Sequence, residues 1–271
     1  MSASTSASSA RGSPGERETY AIIAAVFAIS LAATVWFWHA MPADMDMKMP
    51  GGWTMSMMWM VMPNQSWLEA ALIFLAMWEA MMVAMMLPSA APMLLLYRRA
   101  ARFRGDRRIG LATAAMGAAY FGVWLAVGLV AYAAGLGIAS LAMHSERVSR
   151  LLPAAGAAAL MVCGAFQLTA WKSACLKHCR DPLSLVAGHM GKGTWGAWTL
   201  GLHHGVFCAA CCWALMMIQL VLGVMSLGVM VLVAVAIAVE KMAPRGDLIA
   251  RMIGVLSILG GLVLLGRSPG R

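Results

Sequence analysis

Charged residues are scarce in this sequence: they make up 11% of its 271 positions, whereas hydrophobic residues make up 62%. A soluble globular domain is roughly one-quarter charged, so this composition excludes that class. Acidic residues are rarer than basic ones, with 11 Asp and Glu against 20 Lys and Arg. Binding nucleic acid would require a soluble basic surface, which such an apolar chain does not offer. A nucleotide-binding P-loop motif is also missing, which argues against an ATP-driven pump.

The apolar residues are gathered into runs of about 20, the length at which a helix crosses the hydrocarbon of a bilayer. We therefore expect an all-α fold, a polytopic transmembrane helix bundle of about seven spans. Six spans are the alternative, because a tight turn within 223–228 must separate the fifth and sixth. Residues 1–18 are predicted to be a flexible cytoplasmic tail, and 19–267 a single integral membrane domain. The predicted spans are 20–38, 67–96, 110–142, 151–171, 197–219, 224–240 and 248–266.

The loop 98–108 predicts the orientation of the bundle. It contains six arginines and a single aspartate, and cytoplasmic loops of membrane proteins carry the excess of positive charge. With this loop inside, fifteen of the 20 Lys and Arg residues face the cytoplasm. The chain is therefore predicted to lie in the cytoplasmic (plasma) membrane, in contact with the lipid bilayer, with its N-terminus inside.

Proline and glycine predict local features of the helices. Pro88 and Pro92 fall near the end of the second span, where the loss of backbone donors favours a bent or broken helix. Small residues allow helix backbones to approach closely in lipid. Two spans are rich in glycine and are predicted to pack in this way, through Gly117, Gly122, Gly128, Gly135 and Gly137 in the third and Gly254, Gly260 and Gly261 in the last.

A methionine-rich segment follows the first span and is predicted to lie outside the cell. Nine methionines fall between His39 and Pro63. Thioethers are soft ligands that favour Cu(I), so this segment is a candidate copper collector. The alternative is an amphipathic helix over 57–62, in which methionine is only an adaptable apolar side chain. The candidate ligands are His39, Met45, Met47 and Met49.

A carboxylate, Glu79, falls in the middle of the second span. Met82 and Met86 follow it at i+3 and i+7, on the same face of the helix. A carboxylate at this depth is costly and indicates a functional site, so the three residues are candidate metal ligands. Alternatively, Glu79 is protonated and hydrogen-bonds to a neighbouring helix.

Cysteine and histidine are concentrated in two short motifs. Counting about 1.5 Å per residue inward from Trp198 puts Cys208 roughly 15 Å into the bilayer, where a thiolate requires a cation. We predict that both motifs bind a metal ion, copper or its rival zinc, because thiolate and imidazole serve both ions. The first motif, in a cytoplasmic connection, is Cys175, His178 and Cys179; the second, on one stripe of the fifth span, is His204, Cys208, Cys211 and Cys212.

Isolated residues of the same types are given no role. Cys163 is interpreted as a small buried hydrophobe, and His144 and His189 as solvated loop residues. Structural disulfides are not expected, because the paired cysteines connect to the reducing cytoplasm.

Several of these motifs together resemble a known family. They are Trp78-Glu79-Ala80-Met81-Met82, Cys175-Leu176-Lys177-His178-Cys179-Arg180, His204-Gly205 with Cys208, Cys211-Cys212-Trp213, and Glu240-Lys241. The combination, over roughly 52–242, is similar to predicted metal-binding integral membrane proteins grouped as domain of unknown function 2182. The resemblance implies a multi-span protein with a metal site and supplies no reaction. Ala209 and Ala210 depart from the pattern, since a glycine is expected before the cysteine pair.

Three functions follow from these features. The preferred hypothesis is a copper-handling membrane protein that transports the ion or metallates a partner protein. The second is a membrane metalloenzyme or thiol oxidoreductase that uses the Cys208/Cys211 pair. The third is a structural membrane protein in which Glu79 and the cysteines only pack.

Overall fold

The computed structural model describes residues 14–40, 46–60, 65–189, 191–224 and 226–267. Within these ranges the chain forms nine α-helices, a short 3-10 helix (Met57–Trp59) and a two-stranded antiparallel hairpin. The hairpin strands are β1 (Met47–Met49) and β2 (Trp53–Met55). The α-helices are α1 (Pro14–Ala40), α2 (Trp67–Phe103), α3 (Ile109–His144), α4 (Glu146–Gln167), α5 (Ala170–Arg180), α6 (Pro182–His189), α7 (Gly193–Gly223), α8 (Leu227–Met242) and α9 (Gly246–Arg267).

The all-α polytopic bundle is confirmed. Five predicted spans lie within single helices, whereas 151–171 runs past the end of α4 into α5, and 224–240 begins before α8. Among the described residues, six helices are long and apolar enough to cross a membrane. The helix α8, which corresponds to the sixth predicted span, is not among these six because it has only 16 residues. The predicted turn before it begins at Gly223, whose φ of 120° ends α7.

The N-terminal helix begins earlier than predicted. Residues 14–18, assigned to the flexible tail, belong to α1. Pro14 occupies the first helical position, where its missing N–H is not needed. An ion pair of 2.9 Å between Glu16 and Arg99 joins this end of α1 to α2.

The bundle has two different ends. The arginine end carries the last turns of α2 and the connection 104–108 to α3, so the first part of the predicted loop is helical. The chain just before α7 joins this end through hydrogen bonds from Arg104 to the Gly191 carbonyl. The hairpin end carries β1, β2 and the junction of α3 with α4. There the Trp53 indole donates a 2.9 Å hydrogen bond to the Ser149 carbonyl, and the Ser149 hydroxyl donates one to the Pro50 carbonyl.

Helices of two length classes run between these ends. The long ones are α2, α3 and α7, with 37, 36 and 31 residues; α4 and α9 have 22 each. The ends of α4 and α8 and the start of α9 meet one another partway along α7: Gln167 hydrogen-bonds to Glu240, and Gly246 packs against the Glu240 carbonyl. Beyond this level, α5 and α6 pack beside the long helices, with Leu185 of α6 in a cluster with Leu94 of α2.

Glycines allow the helices to approach closely, as predicted. A methyl group on Gly164 would lie 2.5 Å from the Gly254 carbonyl oxygen, so α4 and α9 touch through their backbones. In α3, Gly128 accommodates the Trp78 ring and Gly135 the Trp59 ring. The other predicted packing glycines, Gly117, Gly122, Gly137 and Gly260, have no atom within 4 Å of such a methyl.

The helix α2 is not broken by its prolines. It begins with a capping box, in which the Ser66 side chain and Glu69 satisfy each other's backbone N–H groups. It then continues through Pro88 and Pro92 to Phe103. The predicted break is therefore wrong, and the bend stays a prediction. Buried side chains pack along both halves of α2, which stabilises the helix where the prolines remove backbone donors.

Candidate metal site

Four thiols form a row between α5 and α7. The Cys179 thiol neighbours that of Cys211, Cys211 neighbours Cys212, and Cys212 neighbours Cys208. The three cysteines of α7 are buried, Cys179 is partly exposed, and all are free. This set, called the thiol row below, therefore leads from the surface of α5 into the bundle.

The row arises from helical spacing and from one turn. Cys208 and Cys212 are four residues apart on α7, and Cys211 lies on the neighbouring stripe that faces α5. The turn after α4 brings α5 back against α7. Thr169, the N-cap of α5, accepts a hydrogen bond from the Lys172 N–H. Cys179 of the first motif thereby meets Cys211 of the second.

The inner end of the row contacts a partly buried amine and a phenol. Lys241 Nζ lies 2.9 Å from Cys208 Sγ, and its second contact is the Ser89 hydroxyl at 3.4 Å. The Tyr120 hydroxyl lies 3.0 Å from the same sulfur. A thiolate at Cys208 would thus have a cation and a hydrogen-bond donor already in place.

A second lysine lies beside the middle of the row. Lys172 Nζ donates hydrogen bonds to the Cys211 backbone carbonyl at 2.9 Å and to Glu240 at 2.7 Å. Lys172 and Glu240 are each only 1% exposed, and Gln167 donates to the other carboxylate oxygen. A buried ion pair is expensive to desolvate and weak evidence of stability, so this network calls for a functional explanation.

These three charged residues, Lys172, Glu240 and Lys241, were not among the predicted ligands. In a hydropathy profile they mark helix ends and loops, and Glu240-Lys241 appeared only in the family resemblance. Their signal in the sequence is the position of two adjacent charges at the end of an apolar segment. Only the fold shows that they converge on cysteines far away in the chain.

The predicted stripe on α7 is divided between two environments. His204 is buried, but its ring stacks on Tyr120 at a centroid distance of 5.3 Å. It lines a small cavity with Ala90, Leu94, Met116 and Gly117, and its Nδ1 has no hydrogen-bond partner. His204 therefore faces α2 and α3, whereas Cys211 faces α5.

Glu79 and its methionines lie in or beside the same core. Met82 and Met86 are fully buried in a cluster that also contains Cys208, Cys211 and Cys212. Glu79 is partly exposed, and its buried Oε2 has no hydrogen-bond partner. The structure thus brings the thioethers, rather than the carboxylate, into the cluster with the thiols.

The methionine-rich segment lies at the hairpin end. Met49 and Met55 are buried against Ala139 and Ala142. Met47 and His39 are exposed, and Met45 lies outside the described residues. The ligand role of His39, Met45, Met47 and Met49 stays a prediction.

The first motif is divided as well. Cys175 is buried, and this burial raises the pKa of its thiol, an effect that the neighbouring Lys172 partly offsets. His178 instead packs against Phe207 and His203 of α7, with ring centroid distances of 4.1 and 5.4 Å. Asp181, just after α5, accepts a hydrogen bond from the Ser184 N–H, which lowers the pKa of its carboxyl group.

In the part of the chain that the structure describes, no three His, Cys, Asp or Glu side chains are arranged as a ready-made metal cage. The thiols instead lie as successive pairs. Such an arrangement suits an ion that accepts two sulfur ligands better than one that requires four.

One comparison with known proteins gives a match. The family model described as "PpoB2: Copper chaperone" matches residues 75–264, more than half of the chain, which includes all the thiols and buried charges described above. The match shares the metal-related character of the family that the motifs resemble, under a different label. No curated protein and no solved structure matches the chain.

Proposed function

The chain belongs to the PpoB2 copper chaperone family, and on that premise we propose that it binds Cu(I) as cargo in its thiol row and passes it to a partner protein. Six helices of sufficient length and hydropathy support a membrane location. The observation that carries the proposal is the set of buried charges that adjoins the sulfurs.

The charges balance for Cu(I) held by two thiolates. Lys172 and Lys241 supply two positive charges and Glu240 one negative charge, all within the contacts of the row. The surplus is one positive charge. Two thiolates with one Cu(I) carry one negative charge, so the loaded site is neutral overall, as a low-dielectric interior requires.

The geometry favours copper over zinc on the same grounds. Zn(II) held by two thiolates is neutral and would leave the surplus charge uncompensated, and structural Zn(II) usually takes four ligands. Cu(I) is a soft ion that is stable with two sulfur ligands. We assign the inner pair, Cys208 and Cys212, as the main site, because Lys241 and Tyr120 both contact Cys208.

The partly exposed end of the row is the route for exchange. Cys179 and Cys211 form the outer pair, and only Cys179 is partly exposed. Neighbouring thiols allow the ion to move by replacing one sulfur ligand at a time. The ion is therefore never without a ligand in an apolar interior.

Helix lengths support a location of this route near a membrane surface. At 22 residues, α4 and α9 are each roughly 33 Å long, enough to cross the hydrocarbon. The last residue of α4 and the first residue of α9 lie beside Glu240, at the level of the thiol row, whereas α2 continues to the arginine end. In our proposal the row lies at the cytoplasmic boundary of the bilayer, not at its centre, and a soluble partner reaches Cys179 there.

The test is the amount of Cu(I) bound by the detergent-purified full chain under anaerobic conditions. The wild type should retain copper against a chelator that strips the variant Cys208→Ser/Cys212→Ser. Cys163→Ser is the matched control, because Cys163 is equally buried but lies on α4 outside the row. Equal copper in all three proteins would overturn the proposal. A thiol pair that cycles to a disulfide without binding copper would support the oxidoreductase alternative instead.

A further inference from the structure

We propose that His178, His189 and His203 form a second, outer copper site that exchanges Cu(I) between a partner and the thiol row. The inference deepens the proposed function and rests on it for the fate of the ion. The observation that carries it is the meeting of three imidazoles from three different helices next to Cys179.

The His203 ring contacts both of the other imidazoles. His203 of α7 stacks on His189 of α6 with centroids 4.4 Å apart, and it meets His178 of α5 edge-on at 5.4 Å. Phe207, one turn further along α7, packs against both His178 and His203. His189, interpreted from the sequence as an isolated solvated residue, therefore belongs to a cluster.

Two nitrogens in this cluster have unused bonding capacity. Nε2 of His178 and Nδ1 of His203 are buried and have no hydrogen-bond partner among the residues that the structure describes. A buried polar atom without a partner costs free energy, and a metal ion is one of the partners that satisfies it. Neutral imidazole is a ligand for copper and needs no deprotonation.

Exposure increases steadily away from the thiol row. Cys211 is buried, Cys179, His178 and His203 are partly exposed, and His189 is exposed. His178 and Cys179 are adjacent in α5, so the histidine cluster continues the row toward the surface. An ion that arrives from water therefore meets imidazoles before thiols.

The transfer between the two sites is a ligand exchange without oxidation or reduction. Cu–N bonds to imidazole break and Cu–S bonds form, and each thiol that becomes a ligand releases its proton to solvent. The rings stack and do not yet converge on one point, so binding requires them to rotate about their side-chain torsions. The exposed His189 is the one best placed to do so.

The experiment isolates the imidazole site by removing the four thiols of the row. The full chain with Cys179, Cys208, Cys211 and Cys212 all replaced by Ser is titrated with Cu(I) in detergent, in competition with a chelator. We expect one residual equivalent whose X-ray absorption shows nitrogen ligands. Adding His189→Ala should weaken it roughly 10- to 100-fold, whereas His144→Ala, at an exposed histidine of α3, should leave it unchanged.

A second measurement keeps all four thiols of the row in place. In the wild-type background His189→Ala should leave the copper stoichiometry of the thiol row intact but slow the loading of Cu(I). If His189→Ala changes neither the affinity of the residual copper equivalent nor the rate of Cu(I) loading, the proposal of an outer site is overturned. These results are distinct from failure of the thiol row, which would appear as unchanged copper binding in Cys208→Ser/Cys212→Ser.

Discussion

Two regions of this molecule are rich in sulfur, and they differ in what surrounds the sulfur atoms. In the thiol row, Cys208 Sγ contacts Lys241 and Tyr120, and the Cys211 backbone contacts Lys172. At the hairpin end, Met49 and Met55 contact the alanines of α3. The first region combines ligands with charges, whereas the buried sulfurs of the second fill space between apolar side chains.

The difference teaches that a count of soft ligands does not identify a site. Methionine packs well in irregular gaps, so burial against alanine is sufficient to explain Met49 and Met55. Buried lysines have no such explanation, since each costs several kcal/mol to desolvate unless a partner compensates it. Charge beside sulfur is therefore the better indicator of where an ion is bound.

The largest expected effect comes from removing the negative charge of the network. Glu240→Gln leaves Lys172 buried without a counter-charge, and we expect a loss of roughly 3–5 kcal/mol in the free energy of unfolding. Denaturation of the protein in detergent measures it. Glu146→Gln is the control, because its ion pair with Arg150 is more than half exposed and should contribute less than about 1 kcal/mol. Equal stability of both variants would mean that Lys172 is not charged.

A smaller and more specific effect is expected at Lys241. In Lys241→Met, the loss of a charge-assisted hydrogen bond of about 1.5–3 kcal/mol should weaken Cu(I) binding roughly 10- to 100-fold. Zn(II) binding should fall less, because the complex of Zn(II) with two thiolates is neutral and gains less from the lysine charge. Competition with a chelator measures both affinities, and Lys48→Met, at an exposed lysine of the hairpin, is the matched control. A greater loss for Zn(II) than for Cu(I) would reverse the assignment of the metal.

The helical architecture was predictable because lipid leaves a chain few alternatives. Hydropathy located every span, since backbone groups in a bilayer must be satisfied within the helix. It did not show that α2 and α7 extend beyond the level where α4 and α8 end. That difference depends on tertiary contacts, such as the one between Gly246 and Glu240, and it moves the proposed site from mid-membrane to the bilayer boundary.

The thiol row was predictable only in part. The spacing of Cys208, Cys211 and Cys212 predicted that they lie close together on one helix. The cysteines and histidine of the segment 175–179 indicated Cys179 as a candidate ligand. The turn at Thr169 determines which cysteines of α5 and α7 become neighbours. The sequence pattern of this turn is much weaker than the cysteine pattern, so it was not recognised. The contact between His189 and His203 was missed for the same reason, because α6 brings His189 to α7 from a position that appears isolated in the chain.

The smallest effect is expected at the hairpin end, and it tests the comparison most directly. Met49→Leu/Met55→Leu conserves volume and should change the free energy of unfolding by less than about 1.5 kcal/mol, with no change in the number of Cu(I) ions bound. Copper analysis and thermal denaturation check both values, and Met143→Leu, at an exposed methionine of α3, provides the control. If the double variant instead loses one copper ion while Cys208→Ser/Cys212→Ser does not, the methionines are the collectors that the sequence first suggested. Burial among alanines would then be a poor guide to which sulfur atoms meet the ion.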